Sequence, residues 1–125
     1  MDVKMPIIMV VDDDEFFCSL VTRVLNHKYD VRTFTHGDDA KKYLLDHVPD
    51  LILLDYEMPN ITGYGVLMAI RTDTRTRNVP VLFLTGVTNA RMETEMMERG
   101  ANGYIRKPFD APELLQEIAK HLKKD

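Results

Sequence analysis

Cysteine, basic charge and long apolar runs are all scarce in this chain of 125 residues. Its single cysteine, Cys18, excludes an intrachain disulfide; lying where a first helix is expected, it reads as a packed thiol rather than a redox switch. The formal net charge is −4, and no segment concentrates Lys and Arg. That argues against direct nucleic-acid binding, because phosphate contacts need a basic face. No apolar run approaches the roughly 20 residues needed to cross a bilayer, and the amino terminus lacks the basic stretch, apolar core and cleavage site of a secretory signal. A cytoplasmic location without membrane contact is therefore expected. The four histidines, His27, His36, His47 and His121, show no His-x-x-x-His spacing and are expected at the surface, neither as metal ligands nor as phosphodonors. Internal repeats and linkers are also lacking, and only Lys123-Lys124-Asp125 reads as a charged tail, so residues 1–125 are expected to form one domain.

What is there is an alternation of short apolar runs with segments of helical period, the pattern of repeated βαβ units, so the class is α/β. Phe17, Leu20, Val21, Val24 and Leu25 mark a first helix face. Ala40, Tyr43 and Leu44, after a break at Gly37, mark a second, and Val66, Leu67 and Ile70 a third. Met92 and Met96 mark a fourth that Gly100 should stop, and Leu114, Leu115, Ile118 and Leu122 a fifth, with Asp110 and Glu113 as its cap. The first, third and fourth apolar runs suit strands covered on both faces, whereas Tyr29 to Phe34 mixes in charges and suits an edge. Right-handed crossovers then give a flavodoxin-like, doubly wound (βα)5 sandwich with its five parallel strands in the order 2-1-3-4-5.

Four of the apolar runs end on residues able to do phosphate or metal chemistry. Ile7 to Val11 leads into Asp12-Asp13, Leu51 to Leu54 into Asp55, Val81 to Leu84 into Thr85, and Tyr104-Ile105 into Arg106-Lys107-Pro108. In a parallel sheet these ends converge on one edge, and in this strand order Asp12, Asp13 and Asp55 meet at the reversal of winding, where ligands of such sheets bind. Two carboxylates ~5 Å apart repel by about 3 kcal/mol at an effective dielectric of ~20. Such a cluster calls for a cation, and all-oxygen ligation suits Mg²⁺. Lys107 and Thr85 supply the ammonium and hydroxyl that a bound phosphoryl oxygen needs.

The stretches Val11-Asp12-Asp13-Asp14, Leu53-Leu54-Asp55-Tyr56-Glu57-Met58-Pro59 with Gly63, Leu84-Thr85-Gly86 and Gly100 to Phe109 together resemble the receiver domain of two-component response regulators, in order and across the whole chain. The resemblance implies that Asp55 accepts a phosphoryl group from a sensor histidine kinase, a phosphotransfer protein or a small-molecule donor, in a self-phosphorylating acceptor rather than a dedicated enzyme. It implies Mg²⁺ held by Asp13 directly, by Asp12 largely through water, by Asp55 and by the backbone carbonyl of Glu57. Lys107 would pair with the phosphate, Thr85 would bond a phosphoryl oxygen, Gly86 would leave room beside it, and Tyr104 would turn inward as Thr85 moves. Pro59 and Gly63 would be structural, and Pro108 would be a cis proline aiming Lys107. The face of helix four, strand five and helix five would change shape and be read by a downstream protein, an output domain or a second phosphorylated copy.

Two other classes are weaker. A Mg²⁺-dependent aspartyl-phosphate hydrolase of the haloacid dehalogenase type needs a second Asp two residues on as general acid, where Glu57 stands. A flavodoxin needs a phosphate-cradling loop after the first strand, where Asp12-Asp13-Asp14-Glu15 would repel the flavin phosphate. A degenerate receiver that serves only as a binding module is disfavoured because every chemical position is filled. Met58, Met68, Met92, Met96 and Met97 are expected mainly as core filling, with Met97 the most exposed.

Overall fold

A computed structural model describes residues 4–57, 63–86 and 89–122. Strands and helices alternate: β1 (Ile7–Val11), α1 (Glu15–Leu25), β2 (Asp30–Phe34), α2 (Gly37–Asp46), β3 (Leu51–Asp55), α3 (Gly63–Thr72), β4 (Val81–Thr85), α4 (Ala90–Glu98), β5 (Gly103–Arg106) and α5 (Ala111–Leu122). All strand pairs are parallel and the sheet order is β2-β1-β3-β4-β5. This is the doubly wound α/β fold expected from the strand compositions.

Alternation along each strand sends successive side chains to opposite faces. Met9, Val11, Ile52, Leu54, Val81 and Phe83 face α2, α3 and α4, where Ala40, Leu44, Val66, Leu67, Ile70 and Met96 meet them. Ile8, Val10, Leu51, Leu53, Leu82 and Leu84 face Cys18, Val21 and Leu25 of α1 and Leu114 and Ile118 of α5. Each fully buried Leu, Ile or Val contributes roughly 1.5–3 kcal/mol, so two continuous cores hold the sheet between helix layers. β2 has one strand neighbour and a half-exposed face, as its charges require.

Helix boundaries follow short polar residues. Asp14 accepts hydrogen bonds from the amides of Phe16 and Phe17, Asn89 from Met92 and Asp110 from Glu113, each satisfying N–H groups that a helix start leaves open. Gly100 ends α4 with φ of 114°, a left-handed conformation that glycine adopts without a Cβ penalty. Gly37 differs from expectation: it is the first residue of α2, not a break before it. Leu20 also departs, being 43% exposed on α1 next to a 76% exposed Phe16; the apolar stripe of α1 is narrower than its composition suggests. Met96 is buried and Met97 exposed as expected, but Met68 is also exposed, on the outer side of α3. Met58 and the tail from Lys123 to Asp125 lie outside the described residues.

At the amino-terminal edge of the sheet, Arg71 from the end of α3 gathers the neighbouring chain segments. Its guanidinium donates to the carbonyls of Gly100 (3.0 Å), Arg77 (3.1 Å) and Val79 (2.8 Å) and to Asn102 Oδ1 (2.8 Å). Asn102 Oδ1 also accepts the amide of Val81 at 2.8 Å, so α3, β4 and the α4–β5 turn share one network.

Candidate functional site

The register brings the polar strand ends level. Val11 pairs with Leu54, Asp55 with Leu84 and Thr85 with Arg106, so Asp12, Asp55, Thr85 and Lys107 emerge along the carboxyl edge. Asp12 continues β1 by donating its amide to the Phe34 carbonyl at 3.0 Å. Its carboxylate is fully buried, accepting the Asp14 amide at Oδ1 (3.0 Å) and Lys107 Nζ at Oδ2 (2.8 Å). Asp55 is 4% exposed and accepts the Glu57 amide at 3.1 Å, while Asp13 is open to solvent. Ligand oxygens of Asp12, Asp13 and Asp55 lie within 4.8 Å of one another. Oxygen donors alone, three carboxylates and one open side fit a hard divalent ion such as Mg²⁺, which prefers a few carboxylates and its own waters to a closed cage.

Electrostatics reflect the crowding. Burial pushes the Asp55 carboxyl up to about 6, opposed by the hydrogen bond from the Glu57 amide and reinforced by the nearby Asp12 carboxylate. Burial pulls the Lys107 ammonium down, but its bond to Asp12 and the fields of Asp55 and Glu57 outweigh that, leaving it above the ordinary lysine value. Lys107 Nζ is 3.9 Å from Asp55 Oδ1 and 4.3 Å from the centroid of the Phe17 ring. Phe17 in turn meets Phe109 edge to face, with centroids 5.6 Å apart. The peptide bond between Lys107 and Pro108 is cis.

Thr85 is buried at the end of β4, and its carbonyl accepts the Lys107 amide at 2.7 Å. Its hydroxyl donates to Glu57 Oε2 and the Gly86 amide to Glu57 Oε1, both at 3.5 Å. Tyr104 is half-buried on the α4 side, where a hydrogen bond with Glu93 pushes its hydroxyl up. Gly63 has a steric reason to be glycine: a Cβ there would stand 2.2 Å from the Asp55 carbonyl oxygen. Behind the cluster, the Cys18 thiol donates to the Asp12 carbonyl at 3.3 Å, and burial pushes it up to about 11, in keeping with a packed, unreactive thiol.

Asp12, Asp13, Asp55, Thr85 and Lys107 thus lie together at the carboxyl ends of the strands, with Glu57 and Gly86, named through the resemblance, beside them, Gly63 beneath and Tyr104 one strand away. Pro59 lies outside the described residues. Among the described residues the histidines join no metal-ligand cluster. Sequence reasoning missed the ring of Phe17 against Lys107 and the reach of the Glu57 side chain to Thr85. The only available signal for the first was an aromatic one helical turn past Asp13, which patterning assigns to core.

Comparison with known proteins agrees. The sequence matches the response regulator receiver domain over residues 8–119. It is 34% identical over 121 residues to the DNA-binding dual master transcriptional regulator RpaA of Synechocystis, covering 96% of this chain and 50% of that protein. The chain therefore spans about half the length of this curated relative. Among solved structures, Vibrio cholerae chemotaxis protein CheY4 superimposes with a TM-score of 0.89 at 29% identity, covering 94% of this chain and 98% of that one. The receiver domain of sensor histidine kinase PA1611 from Pseudomonas aeruginosa gives 0.86 at 25% identity with the same coverages, and carries a magnesium ion in its active-site cleft. Matched from β1 into α5 and sharing both strand order and backbone with these structures, the chain belongs to the receiver domains of two-component response regulators.

Proposed function

We propose that residues 1–125 form a single phosphoacceptor unit in which Asp55 receives the phosphoryl group. The observation that carries this reading is the position of Asp55: a buried strand-end carboxylate with Asp12 and Asp13 on one side and the Lys107 ammonium 3.9 Å away. An Asp55 oxygen attacks phosphorus; the P–N bond of a phosphohistidine, or the P–O bond of an acyl phosphate, breaks with its electron pair leaving on the donor. The attacking group must be a carboxylate, and a carboxyl that titrates at about 6 is mostly ionised at neutral pH while remaining more basic than an ordinary aspartate.

Asp12, Asp13, Asp55 and the Glu57 backbone carbonyl would hold Mg²⁺, which when bound neutralises the carboxylates and the charge on the transferring group. Lys107 balances charge on the phosphoryl oxygens, and Thr85 donates to one of them. An aspartyl phosphate favours the conformer that brings these donors closest, and Tyr104 follows by leaving Glu93. The α4/β5/α5 face then presents a different surface to a downstream protein, an output domain or a second copy. The phosphodonor is a sensor histidine kinase or a phosphotransfer protein, the location is cytoplasmic, and the chain itself makes no nucleic-acid or membrane contact. It acts as a self-phosphorylating acceptor, not as a dedicated enzyme.

Incubation with acetyl phosphate and Mg²⁺ tests this. Intact mass should show one added phosphoryl group on the wild type and none on Asp55→Asn; equal labelling of the variant would remove Asp55 from the role.

A further inference from the structure

We propose that Phe17 is a positioning residue for Lys107, its ring face forming a seat on which the ammonium exchanges Asp12 for an incoming phosphoryl oxygen. The inference rests on Asp55 being the phosphoacceptor and goes beyond it.

Lysine carries its charge on a flexible four-carbon stem, so something must aim it. In this structure Lys107 Nζ is hydrogen-bonded to Asp12 Oδ2 at 2.8 Å, whereas Asp55 Oδ1 is 3.9 Å away. Held by Asp12 alone, the ammonium would be committed to a carboxylate that does not accept the phosphoryl group, and leaving it would mean passing through an unpaired state in a half-buried site. The Phe17 ring removes that difficulty. Its centroid is 4.3 Å from Nζ, inside the ~6 Å over which a ring face attracts a cation. A ring face is a broad target compared with a carboxylate oxygen, so the ammonium can shift over it without losing it.

The ring is fixed from two sides. Its backbone amide is held by the Asp14 carboxylate at 3.2 Å, and the ring packs against Phe109 in a T-shaped pair, with centroids 5.6 Å apart and planes at 81°. Phe109 lies two residues beyond Lys107, so the loop that carries the ammonium also carries the clamp on its seat. Phe16, the adjacent phenylalanine, points into solvent at 76% exposure and provides a control on the same helix.

The test measures the rate at which acetyl phosphate and Mg²⁺ phosphorylate the full chain. Phe17→Leu should slow it about fivefold, and so should pentafluorophenylalanine at position 17, which keeps nearly the same shape but reverses the electrostatics of the ring face. Phe17→Tyr and Phe16→Leu should stay within about twofold of wild type. In a Lys107→Met background neither Phe17 replacement should slow the reaction further, because the cation that uses the seat is gone. Equal slowing in both backgrounds, or wild-type rates for the fluorinated protein, would overturn the inference. Should Phe17→Leu fail to fold, the fluorinated variant decides alone. A wild type that takes no phosphoryl group would overturn the assignment of Asp55 instead, whereas a wild type that is labelled normally beside unaffected Phe17 variants overturns only the seat.

Discussion

Both ends of the sheet gather charged side chains, and they do so in opposite ways. At the amino-terminal edge one cation, Arg71, meets four oxygen acceptors drawn from two chain segments. At the carboxyl edge three carboxylates and the exposed Glu57 crowd around one ammonium. The first arrangement satisfies what it buries. The second buries carboxylates close together, and the Asp55 carboxyl is pushed up to about 6, chiefly by burial and further by the neighbouring Asp12. On the function proposed above, stability and reactivity would fall to opposite ends of the same strands.

The sharpest way to break this contrast is Arg71→Ala. Leaving buried carbonyls and Asn102 without their charged donor should cost about 3 kcal/mol, lowering the melting temperature by about 10 °C. Phosphorylation measured well below the transition should be unchanged, and a matching loss of phosphoryl uptake would mean that the two ends are not independent. Gly63→Ala is the site-end counterpart. A Cβ placed 2.2 Å from the Asp55 carbonyl oxygen forces backbone to move, costing about 1–3 kcal/mol and slowing phosphorylation together; thermal melts and labelling on the same sample would separate the two effects.

Asp55→Asn should move in the other direction, raising stability by about 1–2 kcal/mol while abolishing uptake. The sign follows from the titration. Below the ordinary carboxyl value of 3.8 the group is protonated folded or unfolded, and the stabilisation of its buried neutral form is fully present; that stabilisation is lost as pH rises through about 6. In chelator-treated buffer, Asp55→Asn should therefore gain on wild type between pH 4 and pH 7, and a constant difference in melting temperature across that window would contradict the crowding. The smallest effect is expected from the cation. Mg²⁺ at about ten times its dissociation constant should stabilise the wild type by about 1.4 kcal/mol, and a wild type indifferent to millimolar Mg²⁺ in a thermal melt would count against a preformed site.

The carboxyl end was the more legible of the two from sequence. Asp55 and Thr85 are conspicuous because each ends an uninterrupted apolar strand, and the level register follows from the parallel sheet those strands imply. Strand order was equally readable, since the charges of Asp30 and Arg32 on β2 leave it only an edge. Arg71 and Asn102 gave no such signal. They lie 31 positions apart and look like ordinary surface residues until the ends of α3 and β5 are brought together in space. Leu20 and Met68 erred the other way, because helical spacing identifies an apolar stripe without saying how much of it the neighbouring layer covers. Gly63 could be recognised as special only through a motif; its physical reason is a contact with a strand that precedes it.

The 2.7 Å bond from the Lys107 amide to the Thr85 carbonyl gives the two donors a shared backbone. It ties the end of β4 to the segment after β5 at the main chain, so the phosphoryl site proposed above would draw both of its donors from backbone that shifts as one piece.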